Sequence, residues 1–292
     1  MVFYQEKKGI IFARNFGCKQ AKGEYIAVMD ADDISLPARF ETQIKFMEKY
    51  PDIGIVGTWA DVIEENGIML RTRCQGPTNH FAIGWHLIFC NCMAHLTIMI
   101  RSEVLKRLNY YSQADNGFPE DYDLWTRAFF ITKIANIPKP LAKYRVHKSN
   151  NSLLVSLEMK QFDIQIQHTM VKKILGEFSH PFFDELLVKE NSSIFSFNPN
   201  VNDIQVNLIE TLYRHYINTY STSNSENKEI RTQISLIFLS YSWRMFQFSK
   251  IKSWSLLNKY LHYLQITNMK KMICMIGQKT IVIFSNEQNK TS

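Results

Sequence analysis

The feature that most constrains this chain is the alternation of short apolar strands with helical patterns through residues 1 to about 150. Glu24–Met29 reads as a buried strand, and a helical pattern starts near Pro37, a residue favoured at the first position of a helix. Ile53–Gly57 and Leu96–Ile100 are predicted as further strands. Such alternation predicts an α/β layer structure with a mostly parallel sheet.

The spacing of apolar residues indicates how the helices face the sheet. In the helix that starts near Pro37, Phe40, Ile44 and Met47 share one face. A later helix is predicted to start at Ser102, acting as its N-cap. Another is predicted over residues 120–130, with three apolar side chains directed inward: Leu124, Ala128 and Phe129.

From about residue 151 the pattern becomes mainly helical. Leu153–Leu175 reads as one amphipathic helix that Gly176 ends. Ile234–Leu264 is rich in aromatic residues and lysine at helical spacing, which fits either a packed helical pair or a peripheral contact with an anionic membrane surface. We therefore predict two regions, an α/β domain over residues 1–152 and a helical region over residues 153–292.

Composition narrows the class of protein. Of 292 residues, 46% are hydrophobic and 21% are charged, as in ordinary globular proteins. The net charge of +7 fits phosphate-bearing substrates, anionic membranes or nucleic acid, but without a run of basic residues we predict no nucleic-acid partner. The five irregularly spaced cysteines predict reduced thiols in a cytoplasmic protein.

An acidic triplet, Asp30-Ala31-Asp32, stands where the first predicted strand ends. Ligands of open α/β sheets bind at the carboxyl ends of strands. Two carboxylates one residue apart can share Mg²⁺ or Mn²⁺, which keep coordination positions open for phosphate oxygens. The alternative is an acidic loop in which Asp33 or Ser35 caps the helix that follows.

Several motifs occur in the order typical of one enzyme family. Residues 9–33 read GIIFARNFGCKQAKGEYIAVMDADD, and LPARFETQIKFMEKYPDIGIVGT follows. PEDYDLW and LAKYRVHKSNNS come later, at 119–125 and 141–152. Together these segments resemble family 2 glycosyltransferases of the GT-A fold, over about half of the chain. The resemblance implies a GT-A-like sheet and a nucleotide-sugar donor.

The same resemblance assigns residues to the donor side of a site. Arg14 and Asn15 match the nucleotide-side A-R-N element. Asp30 and Asp32 match the motif that binds the metal, Mn²⁺ or Mg²⁺, and the diphosphate. His147 matches the histidine after the last core strand, which reaches the metal or the diphosphate. On residue type alone, His147 is as well explained by surface packing.

On the acceptor side, Asp121 matches the catalytic base, and sequence alone does not separate it from Glu120. A carboxylate at a helix start can take the proton of an attacking hydroxyl. The alternative is that both acids only complement the helix dipole. His95 either lines the acceptor side or serves as a structural histidine.

Two functional hypotheses result. The first is a metal-dependent, inverting glycosyltransferase that uses a glycan or lipid-linked acceptor in bacterial surface polysaccharide or lipooligosaccharide synthesis, in the cytoplasm or peripherally on the inner face of the plasma membrane. The second is a non-catalytic remnant or interaction subunit. Family members open with a strand, a helix and a second strand ahead of the A-R-N element, and we expect this chain to lack them.

Overall fold

The computed structural model describes residues 4, 6, 8–112, 119–147, 157–176, 202–220, 223 and 227–232. The elements are, in chain order, helix α1 (Ile10–Gln20), strands β1 (Tyr25–Ala27) and β2 (Ile34–Ser35), helix α2 (Arg39–Lys49), strands β3 (Ile53–Glu64) and β4 (Met69–Cys74), helix α3 (His80–Leu87), a 3-10 turn (His95–Thr97), strand β5 (Met99–Arg101), helices α4 (Ser102–Arg107) and α5 (Glu120–Phe129), strand β6 (Lys133–Val146), and helices α6 (Leu157–Leu175) and α7 (Asn202–Tyr220).

The chain divides into two compact units. The first comprises Met1–Ser196 with Asn207–Asn227, and it contains the whole described sheet together with α6. The second comprises Phe197–Val206 with Lys228–Ser292. The predicted boundary between residues 152 and 153 stays a prediction. The predicted helical segment Ile234–Leu264 lies outside the described residues.

The sheet is mixed, with the order β1-β5-β3-β6-β2 and with β4 paired to β3. Among the described strands, β3 and β6 pair in parallel, whereas β1–β5, β5–β3, β3–β4 and β6–β2 are antiparallel. The α/β class is confirmed, but the prediction of a mostly parallel sheet is wrong. Part of the reason is the hairpin between β3 and β4, where Asn66 precedes Gly67 at a φ of 88°. An Asn-Gly pair is a hairpin signal, and short hairpins join antiparallel strands.

Helix α2 buries only part of the predicted face, and Ile44 packs half-buried against the core as expected. Met47 is fully buried as expected, but Phe40 is 49% exposed, and its ring centroid lies 5.4 Å from the guanidinium carbon of Arg39. The two remaining side chains of the buried face are polar, namely Arg39 and Gln43. Both polar side chains can be buried because they donate hydrogen bonds to backbone carbonyls inside the protein. A prediction from apolar residues alone ignores such bonds, and it placed the inner face about one residue too far along the helix.

Arg39 and Gln43 form a buried polar network under the sheet. Arg39 Nη2 donates to the carbonyl oxygens of Val28 (2.7 Å) and Ile98 (3.2 Å), and its Nε donates to Gln43 Oε1 (3.1 Å). Gln43 Nε2 in turn donates to the carbonyls of Val56 and Thr97. Burial lowers the pKa of Arg39 to about 10, so the group stays charged at neutral pH. The network therefore ties α2 to the segments around β1, β3 and β5.

Helices α5 and α6 agree with the sequence. Helix α5 ends at Phe129, and its three predicted inward residues, Leu124, Ala128 and Phe129, are buried. Helix α6 ends at Leu175, followed by Gly176 in the left-handed conformation (φ 64°), as expected of a helix-ending glycine. The prediction for Ser102 is wrong: it is the first residue of α4, behind the N-cap Arg101, and its hydroxyl donates to the carbonyl of Gly23.

Among the helices that the structure describes, none combines the length and the apolar character that crossing a membrane requires. The four described cysteines are free thiols, and Cys274 lies outside the described residues.

Substituting Arg39 tests the buried network. We expect Arg39→Ala to lower the free energy of unfolding by about 3 kcal/mol, because it leaves a cavity and deprives buried carbonyls of their donor. Urea denaturation followed by circular dichroism measures the change. The control is Lys45→Ala, which removes an exposed ion pair with Glu41 and should cost much less. Equal losses in the two variants would contradict a structural role of Arg39.

Candidate functional site

The acidic triplet lies in the loop that leaves β1. Two bonds fix the strand end before this loop: Val28 N donates to the Ile98 carbonyl (2.9 Å), and the Val28 carbonyl accepts from Arg39. Asp33 N then turns back to the Asp30 carbonyl (3.4 Å). The carboxylates of Asp30 and Asp32 consequently project from a short turn that is anchored at its start.

The end of β6 closes over this turn. Arg145 N donates to Asp33 Oδ1 (2.7 Å), and Arg145 Nε donates to the Asp32 carbonyl (2.8 Å). His147 Nε2 lies 2.8 Å from Asp32 Oδ2, so the structure joins two residues that are 115 positions apart. The His147 hydrogen bond holds the pKa of Asp32 below its ordinary value. Burial, with smaller contributions from Asp32 and Asp30, raises the pKa of Asp33 to about 6.

The donor atoms at this turn suit a divalent cation in part. Adjacent ligands of octahedral Mg²⁺ stand about 3 Å apart, since each lies about 2.1 Å from the ion. The 2.8 Å between Asp32 Oδ2 and His147 Nε2 is close to that spacing. Asp30, by contrast, accepts a hydrogen bond from Arg14 (3.3 Å). Within the described ranges, no group of three or more His, Cys, Asp or Glu side chains could hold a metal ion by itself. The structure thus brings together two of the three predicted ligands.

Arg14 on α1 connects the acidic turn to the start of α5. One guanidinium nitrogen contacts Asp30 and the other donates to Glu120 Oε1. Arg14 and Glu120 are largely shielded from water, with 20% and 15% of their side chains exposed, whereas Asp30 is 38% exposed. Charge-assisted bonds of this kind are stronger than neutral ones. The predicted donor and acceptor motifs are therefore physically joined through one side chain.

Asp121, the first-turn neighbour of Glu120, has a different environment. Its Oδ1 accepts from Tyr122 N and its Oδ2 from Asn91 Nδ2, both at 2.8 Å. Burial raises the pKa of Asp121 above its ordinary value, and the Tyr122 amide, Asn91 and Arg14 oppose part of that rise. Since the Glu120 carboxylate is already paired with Arg14, Asp121 is the better placed of the two to accept a proton.

Asn15 has its amide group fully engaged inside the protein. It is only 5% exposed, its Nδ2 donates to the Tyr111 carbonyl (2.8 Å), and its Oδ1 accepts from Tyr111 N (3.0 Å). The sequence assigned Asn15 to the nucleotide side together with Arg14. In the structure Asn15 instead fixes the segment that leads towards α5, and it would act on a ligand only through that position.

His95 lies beneath Arg14 and takes the structural role. Its Nε2 is 3.0 Å from Tyr111 Oη, and its ring packs near Trp125, with centroids 6.0 Å apart. Burial, with a smaller contribution from the Arg14 charge, lowers the pKa of His95 to about 3. His95 is consequently neutral at physiological pH and holds Tyr111 in place.

Two residues near Asp121 were missed by the sequence analysis. Asn91 lies between two cysteines outside any motif, and nothing in the sequence distinguishes it. Asp163 interrupts the apolar residues Phe162 and Ile164 within α6. An acid between two apolar residues in an amphipathic helix is the signal that could have drawn attention to it.

Comparison with known proteins supports the family resemblance of part of the chain. The model of the family described as Glycosyl transferase family 2 matches residues 1–108. The resemblance is thereby confirmed for this part of the chain.

The relatives are similar to the chain over about half of its length. An uncharacterized glycosyltransferase of Methanocaldococcus jannaschii is 34% identical over 163 residues, which are 51% of this chain and 56% of the relative. The O-antigen biosynthesis glycosyltransferase WbnJ of Escherichia coli is 37% identical over 142 residues, 48% of this chain and 54% of the relative. This chain therefore spans about half the length of the curated relatives it matches. Among solved structures, S. aureus TarS 1-349 in complex with UDP-GlcNAc aligns with a TM-score of 0.46 and 16% identity, covering 88% of this chain and 71% of that chain.

The role of Asn15 can be tested with an isosteric change. We expect Asn15→Asp to lower the free energy of unfolding by about 2 kcal/mol, because a carboxylate cannot donate to the Tyr111 carbonyl and is itself costly to bury. Urea denaturation measures the loss. Asn66→Asp is the control, because the exposed Asn66 uses its Oδ1 as an acceptor for Ile68 N and an aspartate keeps that function. A stable Asn15→Asp protein would show that the contact with Tyr111 is dispensable.

Proposed function

We propose that this chain forms the catalytic part of a glycosyltransferase that moves a sugar from a nucleotide-diphosphate sugar to a glycan or lipid-linked acceptor. The observation that carries the proposal is the convergence of four distant motifs. Arg14, the acidic turn at Asp30–Asp32, the Glu120-Asp121 helix start and His147 are connected by direct side-chain contacts. Each of these positions matches a family motif, and together they supply an anion-binding side and a proton-accepting side.

In this proposal Asp121 removes the proton from the attacking acceptor hydroxyl while the bond to the leaving diphosphate breaks. A direct displacement of this kind inverts the configuration at the anomeric carbon. The raised pKa of Asp121 suits a general base, because a base works best with a pKa closer to the working pH. Asn91 and the Tyr122 amide donate to its carboxylate and hold the side chain in one rotamer, so that it is already oriented for proton transfer.

The donor side of the proposed site has to bind the negatively charged diphosphate. Arg14 places a guanidinium between Asp30 and Glu120, where it can donate hydrogen bonds to a diphosphate, while the positive charge that attracts the diphosphate would come from a bound cation. Asp32 and His147, with Asp30 nearby, would hold Mn²⁺ or Mg²⁺, whose charge neutralises the leaving diphosphate. Arg145 fixes the backbone of Asp32 and Asp33 from the end of β6, and this keeps the turn in one conformation.

The names of two relatives favour surface polysaccharide synthesis as the biological setting. They are the O-antigen biosynthesis glycosyltransferase WbnJ of Escherichia coli and the amylovoran biosynthesis glycosyltransferase AmsE of Erwinia amylovora, which is 30% identical over 142 residues. We place the reaction, by extension, in the cytoplasm, with a lipid-linked acceptor met at the inner face of the plasma membrane.

Calorimetric titration with UDP and GDP, with and without Mn²⁺, tests the donor site. We expect Mn²⁺-dependent binding of one of the two nucleotides, weakened at least about tenfold, or about 1.4 kcal/mol, by Asp32→Ala. Asp52→Ala is the matched control, since it removes an exposed carboxylate paired with Lys133 at the other end of β3. A folded chain that binds neither nucleotide would contradict the proposal and favour a non-catalytic remnant.

The pH dependence of turnover tests the base. A protonated base is inactive, so kcat/KM should fall as the pH drops through the pKa of Asp121. Asn91→Ala removes a hydrogen bond that stabilises the ionised carboxylate, so the pKa rises further and the acidic limb of the profile moves to higher pH. Asn66→Ala changes a side chain that contacts Glu64 and Ile68 N and not Asp121, so it should leave the limb in place. An unchanged limb in Asn91→Ala would argue against Asp121 as the base.

A further inference from the structure

Asp163 on α6 is carried towards Asp121 by the packing of helix α6 against helix α5. Gln167 follows Asp163 by one helical turn on the same face, and its Nε2 donates to the Phe89 carbonyl (2.7 Å). Phe89 stands two residues before Asn91, the residue that donates to Asp121. The contact made by Gln167 thus sets Asp163 beside the segment that orients the proposed base.

The charge–charge interactions of Asp163 also indicate that it lies near Asp121, independently of the helix packing. Its pKa is raised to about 6, chiefly by burial and secondly by the negative charge of Asp121. Asp163 also contributes, after burial, to the raised pKa of Cys90, which reaches about 11, and to that of Tyr122. Two groups near the start of α5, Cys90 and Tyr122, therefore experience the charge of Asp163.

Asp163 differs from a structural carboxylate in having no partner among the described residues. There it is half-buried, and neither a hydrogen-bond donor nor a cation contacts its carboxyl group. Asp123, in the first turn of α5, shows the usual arrangement, because Ser112 and Arg127 both donate to it. A partly buried carboxylate without a donor costs folding free energy, and such groups concentrate at sites that bind ligands.

We propose that Asp163 is an acceptor-binding residue whose carboxylate accepts a hydrogen bond from a sugar hydroxyl next to the one that Asp121 deprotonates. The inference rests on the proposed glycosyl transfer. Sugars present neighbouring hydroxyl donors, and two carboxyl groups side by side offer matching acceptors. The helix of Asp163 contacts the segment before Asn91 through Gln167, whereas Arg14 joins Glu120 to the donor turn at Asp30. The ligand of Asp163 is accordingly the acceptor and not the donor.

Ligand-observed saturation-transfer NMR on the full chain, with UDP and Mn²⁺ present and absent, tests this assignment. The probes are octyl glycosides of glucose, galactose, mannose and N-acetylglucosamine. We expect wild type to bind at least one of them and Asp163→Asn to weaken that binding at least tenfold. Asp52→Asn, which makes the same change of charge at an exposed ion pair, should bind as wild type does. Asp163→Glu keeps the carboxylate and should recover part of the affinity.

The melting temperature separates ligand binding from a structural role. Removing an unpartnered carboxylate should leave the melting temperature of Asp163→Asn equal to or above that of wild type. A lower melting temperature together with lost binding would assign Asp163 to structure and overturn the proposal. Wild type that binds none of the glycosides, or Asp163→Asn that binds them equally well, would also overturn it. Failure of UDP to bind wild type contradicts the donor site instead, and the arm without UDP reports on Asp163 separately.

Discussion

A fully buried arginine holds the architecture around the site together. The guanidinium of Arg39 has no carboxylate beside it among its described contacts, and backbone carbonyls next to β1 and β5 accept its hydrogen bonds instead. Removing a charge from water is costly, and several good hydrogen bonds are needed to offset that cost. Those bonds exist only when α2 and the two strand ends take one relative position. The turn with Asp30 starts two residues after the Val28 carbonyl, so its position depends on the same network.

Around the site itself, opposite charges alternate in space although they are far apart in sequence. Arg14 lies between Asp30 and Glu120, and Arg145 covers the turn from the other strand end. Asp121 remains outside this set of ion pairs, with an amide side chain and a backbone amide as its nearest donors. Pairing lowers the proton affinity of a carboxylate, while burial raises it. The two adjacent acids at the start of α5 are thereby given different chemistry by their surroundings.

Sequence reasoning succeeded where one signal acted alone. The limits of α5 and the glycine at the end of α6 follow from apolar periodicity and from backbone preference, which are local properties. It failed where a distant partner changed the outcome. Arg39 occupies an inner helix face because carbonyls from other segments receive it, and no helical period contains that information. Strand direction was misjudged because alternation of elements says little about how a short strand such as β5 pairs.

In the candidate site too, residues in local motifs were predicted, whereas residues whose roles depend on distant contacts were not. Motif resemblance assigned Arg14, Asp32, Asp121 and His147 to one region. In the structure Arg14 contacts Glu120, the neighbour of Asp121, and His147 contacts Asp32. Asn91 escaped prediction because its role arises only when the loop before the 3-10 turn meets the start of α5. Asp163 escaped prediction for a similar reason, since α6 must dock before its carboxyl group has any neighbour.

Asn15 shows how a side chain can replace a piece of main chain. Its amide presents one donor and one acceptor to the same residue, Tyr111, as an opposite strand residue would. The chain therefore gains the equivalent of a single rung of a ladder at a place where no strand runs. This arrangement needs both the donor and the acceptor of the amide, held at the same distance from the backbone. Leucine and aspartate have nearly the same shape as asparagine, but leucine lacks both the donor and the acceptor, and aspartate lacks the donor. Hydrogen-bonding capacity, and not side-chain volume, therefore decides which residues this position accepts.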